Sequence, residues 1–205
     1  GCTTSSLVGG FYNFDLDKKL NTAKAYIYSC EFENNSGSTN MKRVSNFYGR
    51  ENSFSVIVNT TFYGSDAGNA PVAIYGKGVT DTEAYIISCT VAGNKSSSPD
   101  VCAGIAQADS KVKVYNSIVS GNTGGHDGIW STESSMVTVL NQRSEVTSYS
   151  INAEKVFGDV DVVSGMLFDP KNMLGKASNG VIPLVGEGNP ALTNGMTADQ
   201  LKSIK

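Results

Sequence analysis

The sequence predicts an all-β chain wound as a coil of short strands. Three observations carry this: an eleven-residue phrase recurs at near-constant spacing, the composition favours turns, and the apolar residues inside the phrase change phase halfway along it. The four copies are AYIYSCEFENN (25–35), SVIVNTTFYGS (55–65), AYIISCTVAGN (84–94) and VKVYNSIVSGN (112–122), whose starts lie 30, 29 and 28 residues apart. Periods of roughly 20 to 50 residues mark solenoids, propellers and other repeat arrays. Ser, Thr, Asn and 22 glycines are abundant while hydrophobic residues make up 40%, so the chain has a core to bury and many corners at which to turn. Its 205 residues are read as one domain, 1–205, with regular coils over about 9–130 and degenerate coils with a short capping segment over about 131–205.

Within the phrase, the third position is Ile27, Ile57, Ile86 and Val114, and the eighth is Phe32, Phe62, Val91 and Val119. Both sets call for burial, yet an odd and an even position cannot face the same side of one straight strand. A bend at the fifth position resolves the conflict. Ser29, Asn59, Ser88 and Asn116 stand there, residue types that bond to nearby backbone and tolerate turn geometry. The sixth position is always small: Cys30, Thr60, Cys89 and Ser117. The eleventh, Asn35, Ser65, Asn94 and Asn122, follows a glycine in three copies and predicts a sharper second turn. Between copies, GGFYNF (9–14), PVAIYG (71–76), VCAGIA (101–106) and GIW (128–130) supply another short apolar strand, so each period holds two or three strands joined by corners.

An antiparallel sandwich has similar turn spacing and is the competing architecture. The recurrence of one small residue and one Asn at fixed positions favours parallel stacking, in which identical positions form ladders about 4.8 Å apart. Further along, MVTVL (136–140), SEVTSYSI (144–151) and GDVDVVSGMLF (158–168) alternate like degraded coils. TADQLKSIK (197–205) reads as a short helix with Thr197 at its N-cap, placed to cover the open end that a stack of strands exposes.

Net charge −3, pI near 5.2 and the absence of like-charge runs give no electrostatic footprint for nucleic acid or an anionic membrane. Cys2, Cys30, Cys89 and Cys102 lack the spacing of a zinc site. Cys30 and Cys89 share a phrase position two coils apart, about 9.6 Å of rise, beyond the roughly 7 Å reach of a disulfide; both are expected to be buried free thiols. If Cys2 is a lipoprotein cysteine, a lipid would tie the protein to a membrane. The Asn-x-Ser/Thr matches at Asn34, Asn59 and Asn94 follow from the composition.

The pattern of these coils, together with NGVIPLVGEGNPALTNG (179–195), resembles the right-handed parallel β-helix of pectate-lyase-like secreted or surface proteins from Bacteroidetes-type bacteria. The resemblance covers about residues 9–130 and implies a single-stranded solenoid of about 28–30 residues per coil, at the cell surface or secreted. It is a fold signature shared by enzymes and non-enzymes. Enzymes on this fold imply paired carboxylates or a calcium site beside a Lys or Arg. GGHDG is only faintly similar to the Gly-His-Gly element of polygalacturonases, and the partners of that element have no counterpart here.

Two regions offer binding chemistry. His126, Asp127 and Trp130 lie in TGGHDGIW (123–130), a glycine-rich loop with an imidazole, a carboxylate and an indole face able to meet a sugar, or simply a solvated turn. Tyr26, Tyr28, Tyr85 and Tyr115 occupy the second and fourth phrase positions, which alternate with the buried third, so they either form a stripe on one outer face or pack beneath loops. Asp159 and Asp161 share a strand face and are weak candidates for calcium, the one cofactor a lyase would need. With no catalytic residues assignable, the reading is a non-catalytic surface or secreted module for adhesion or for binding glycan or protein. A polysaccharide lyase or glycoside hydrolase is the alternative, and a structural spacer the third possibility.

Overall fold

A computed structural model of the chain describes residues 3–4, 8–15, 23–37, 45–67, 70–76, 82–96, 102–108, 110–115, 117–124, 129–131, 136–140, 143–144, 199 and 202. Its strands come in rounds of four. The first round is β1 (Thr3–Thr4), β2 (Val8–Phe14), β3 (Lys24–Tyr28) and β4 (Glu31–Glu33); the second is β5 (Ser36–Gly37), β6 (Ser45–Arg50), β7 (Phe54–Val58) and β8 (Thr61–Tyr63). The third is β9 (Asp66–Ala67), β10 (Val72–Tyr75), β11 (Glu83–Ile87) and β12 (Thr90–Ala92); the fourth is β13 (Lys95–Ser96), β14 (Ile105–Ala108), β15 (Lys111–Tyr115) and β16 (Ile118–Ser120). β17 (Ile129–Ser131), β18 (Met136–Leu140) and β19 (Arg143–Ser144) follow. Asp199 and Lys202 lie in helical backbone and form an exposed pair at 3.3 Å.

Each strand of the first three rounds, and β14, β15 and β16 of the fourth, pairs with its counterpart in the next round, always parallel, giving four sheets. β7 meets β11 with Ile57 opposite Ile86, and β8 meets β12 with Phe62 opposite Val91. An antiparallel sandwich is thereby excluded for these segments. The fold is all-β with parallel strands. Two features escape the phrase analysis. NFYGR in β6 belongs to the same column as GGFYNF, and β14 begins at Ile105, opposite Val72, near the end of VCAGIA and runs on to Ala108. The two-residue strands of the first sheet are too short to show an alternation.

The bend inside the phrase is sharp. Ser29, Asn59 and Ser88 take φ of 51°, 49° and 52°, the left-handed region that Asn tolerates best among residues with a side chain. Crossing it rotates the chain so that third and eighth positions both turn inward. Ile27, Ile57, Ile86 and Val114 form one buried column; Phe62, Val91 and Val119 form another, capped by Phe32 stacked on Phe62 at 4.9 Å. Phe47, Val72 and Ile105 make a third column from the second sheet. At the second turn, Gly64, Gly93 and Gly121 have φ near 65° (66°, 63° and 64°). A Cβ on Gly93 would also come within 2.9 Å of the Tyr63 ring, so this turn needs glycine for both conformation and space.

Beyond the glycine stands the polar ladder. Asn122 Oδ1 accepts from the Asn94 backbone N–H at 3.1 Å and from Asn94 Nδ2 at 2.9 Å, while Asn94 Oδ1 accepts from the Ser65 N–H at 3.1 Å. Asn94 Nδ2 also reaches the Phe62 carbonyl, and Asn122 Nδ2 that of Val91, each at 3.0 Å. In the second round the shorter Ser65 leaves room that Asn46 fills from β6. Asn46 donates to Ser65 Oγ at 2.7 Å and accepts from Asn35 Nδ2 at 3.0 Å. The ladder therefore continues across the substitution, because a buried turn cannot leave its amides unpaired.

One expectation needs correction. Cys89 is buried and its thiol pushed up to about 12 by loss of water, against which hydrogen bonds to the Thr60 and Ile87 backbone pull it down. Cys30 is free as well, but exposed. Cys30 stands in the first round, where β3 and β4 are the last strands of their sheets, so no neighbouring round covers it among the described residues.

The ladder and the Ser53 hydroxyl make opposite predictions. Ser53 is fully buried and its Oγ has no hydrogen-bond partner among the described residues. Asn94→Ala, which strips the amides and carbonyls around it of partners, is expected to lower stability by roughly 2–4 kcal/mol. Ser53→Ala is expected to leave stability within about 0.5 kcal/mol or raise it. Urea unfolding of both variants checks the pair, and a Ser53 variant as damaging as the Asn94 one would contradict it.

Candidate binding face

Residues that alternate with the buried isoleucines of the third sheet point outward. In β3 these are Tyr26 and Tyr28, each 56% exposed. In β7 and β11 they include Phe54 and Tyr85, both half-buried. Phe54 sits between the tyrosines, its ring centroid 6.2 Å from Tyr26 and 5.9 Å from Tyr85, tilted 60° and 54°. A continuous aromatic ribbon thus crosses three strands. It ends on Lys113 of β15, which the register places directly opposite Tyr85.

Lys113 Nζ lies 4.5 Å from the centroid of the Tyr85 ring and donates to the Tyr85 hydroxyl at 2.6 Å. Glu83 Oε1 is 3.4 Å from the same ammonium. The Tyr85 hydroxyl raises the Lys113 pKa, burial opposes it, and the Glu83 charge adds to the rise. Tyr115 is the departure from an open stripe. It is 9% exposed, and loss of water raises its phenol while the Lys113 charge lowers it.

The four tyrosines therefore differ. Tyr26 and Tyr28 are open, Tyr85 lies under a lysine, and Tyr115 is buried. Trp130 is in the middle of β17, its backbone opposite Ala106, in the second sheet rather than the third. His126, Asp127, Asp159, Asp161 and Cys2 lie outside the described residues. Among the described residues no group of three or more His, Cys, Asp or Glu is placed to hold a metal ion.

A second aromatic cluster, outside the repeated phrase, lies on the second sheet. Tyr12 stacks against Tyr48 at 5.4 Å and Phe14 at 5.5 Å, and Tyr48 meets Tyr75 edge-on at 5.6 Å. The Arg50 guanidinium lies 5.2 Å over Phe14, donates to the Tyr12 hydroxyl at 3.2 Å and pairs with Glu51 at 2.8 Å. Burial pulls the Arg50 pKa down, but the Tyr12 hydroxyl and the Glu51 charge raise it on balance. The signal was present as FYNF (11–14) and FYGR (47–50), which pair residue for residue. With its charge already matched by Glu51 and its ring face occupied, this cluster holds structure together more than it offers free groups.

On the third sheet the raised Lys113 pKa fixes the sign of a pH effect. Such a group stabilises fully below its unfolded value, near 10.5, and loses that contribution as pH rises through the higher folded value. The difference in melting temperature between the native chain and Lys113→Met is expected to be constant up to about pH 10 and to shrink above it; a difference that grows above that pH would contradict the assignment. Against models of protein families, the curated proteins and the solved structures the chain finds no match, so its function has to be read from these residues.

Proposed function

We propose that the chain is a right-handed parallel β-helix of about 28–30 residues per coil, acting as a non-catalytic secreted or cell-surface module that binds glycan on the outer face of the third sheet. The observation that carries this reading is the ribbon Tyr26, Phe54, Tyr85 ending on Lys113. Aromatic rings remove the apolar faces of a sugar from water, and their polar edges take its hydroxyls. Here the rings stand on adjacent strands about 4.8 Å apart, so little side-chain freedom is lost when a ligand settles. Lys113 and Glu83 place a donor and an acceptor beside the last ring.

The same face distinguishes binding from catalysis. Glu83, Lys113 and the Tyr85 hydroxyl are the proton-bearing groups that stand in contact on this face and that a lyase or hydrolase could use. On the binding reading, pectate, alginate and neutral glycans yield no unsaturated or reducing-end product, with or without calcium. One or more of them binds by calorimetry, and Tyr26→Ala and Tyr85→Ala each weaken it by about tenfold. Product formation that disappears in Lys113→Ala would show an enzyme instead. Binding unchanged in both tyrosine variants would remove the ribbon from the site.

A further inference from the structure

The three rings of the ribbon do not share a plane. Phe54 is tilted 60° to Tyr26 and 54° to Tyr85, and the register of the sheet explains why. Tyr26, Val56 and Tyr85 stand in one row across β3, β7 and β11, whereas Phe54 belongs to the neighbouring row, between Lys24 and Glu83. Its ring therefore meets the tyrosines diagonally, 6.2 and 5.9 Å between centroids. Rings that meet at such an angle turn a hydrogen-bearing edge toward a neighbour's electron-rich face, which aromatic pairs favour over a flush sandwich. The tilt is a settled feature of the face.

The row that holds Phe54 is otherwise charged. Lys24, Phe54, Glu83 and Lys111 follow one another on adjacent strands; both lysines are exposed and Glu83 is half-buried. Lys113 reaches from the tyrosine row to lie 3.4 Å from Glu83 and 4.5 Å from the centre of the Tyr85 ring. Ring and charge thus alternate along the face, and no wide apolar plane is formed.

We propose that this face takes single, soluble glycan chains and rejects the flat faces of crystalline polysaccharide, with Phe54 as the residue that sets the choice. The proposal rests on the glycan-binding reading above and names the physical class of ligand within it. Stacking is favourable in proportion to the apolar area taken from water. A crystal face offers its sugar rings in one plane, so a face lying flush on Phe54 meets the neighbouring tyrosines at 60° and 54° and touches them by their edges. It would also strip water from Lys24, Glu83 and Lys111 without giving each a partner, which is costly for charged groups. A single chain escapes both penalties. Its glycosidic bonds rotate, so each sugar ring settles on its own aromatic partner, and its hydroxyls serve the ammonium and carboxylate groups beside them as donors and acceptors.

The test gives the whole chain cellulose and chitin in two forms each, as soluble oligosaccharide and as washed crystalline powder, beside dissolved pectate and alginate. The native protein is expected to bind at least one dissolved glycan by calorimetry. Phe54→Ala and Phe54→Leu are each expected to weaken that binding by about tenfold with an unchanged far-ultraviolet dichroism spectrum. Phe54→Leu keeps an apolar side chain on the sheet and decides alone if Phe54→Ala fails to fold. The powders are expected to remove no more of the native protein from solution than of Phe54→Leu. Greater removal of the native protein overturns this inference while leaving the glycan-binding reading in place, and so does soluble binding that is unchanged in the folded Phe54 variants. Binding to none of the dissolved glycans removes the glycan-binding reading and this inference with it.

Discussion

The backbone hydrogen bond at the bend is made the same way in three successive rounds. Ser29 N–H reaches the Val58 carbonyl at 3.0 Å, Asn59 N–H that of Ile87 at 3.0 Å, and Ser88 N–H that of Tyr115 at 2.9 Å. Each joins residues nearly thirty positions apart, so no round satisfies its own strands and each depends on its neighbours. The left-handed bend and the Asn ladder serve this constraint. The bend turns two columns of side chains into one interior. The ladder holds the sharper corner at a height that keeps every strand opposite its counterpart, and Asn46 continues it where Ser65 falls short.

That constraint also explains what was legible in the sequence. Ile27, Ile57, Ile86 and Val114 could be aligned by eye because identical geometry at each round selects similar residues, and the inward columns follow from that alignment. The conflict between third and eighth positions pointed to the bend that the positive φ of Ser29, Asn59 and Ser88 then makes. β6 was harder to see because its column mixes Phe11, Phe47, Val72 and Ile105, a run alike in hydrophobicity but not in identity. The exposure of Cys30 is not a local property at all. It depends on which round is outermost, and the phrase around Cys30 is nearly that around buried Cys89.

The candidate face was legible in the same partial way. Alternation with the buried third position brought Tyr26, Tyr28, Tyr85 and Tyr115 to one side of one sheet, but spacing alone does not reveal what stands next to each. Phe54 closes the gap between Tyr26 and Tyr85, Lys113 covers Tyr85, and Tyr115 is withdrawn from water. Those differences come from neighbours one round away. A stacked sheet creates the face, and the identity of each neighbour across the strands sets its chemistry.

Stacking in parallel register is the claim on which the interior, the ladder and the aromatic face all rest. Scalar couplings transmitted through hydrogen bonds in a solution NMR spectrum test it most directly, because they identify donor and acceptor for each bond. Couplings from the Asn59 amide nitrogen to the Ile87 carbonyl carbon, and from that of Ser88 to that of Tyr115, are predicted. Couplings that instead join 55–65 to 84–94 in antiparallel order would contradict it.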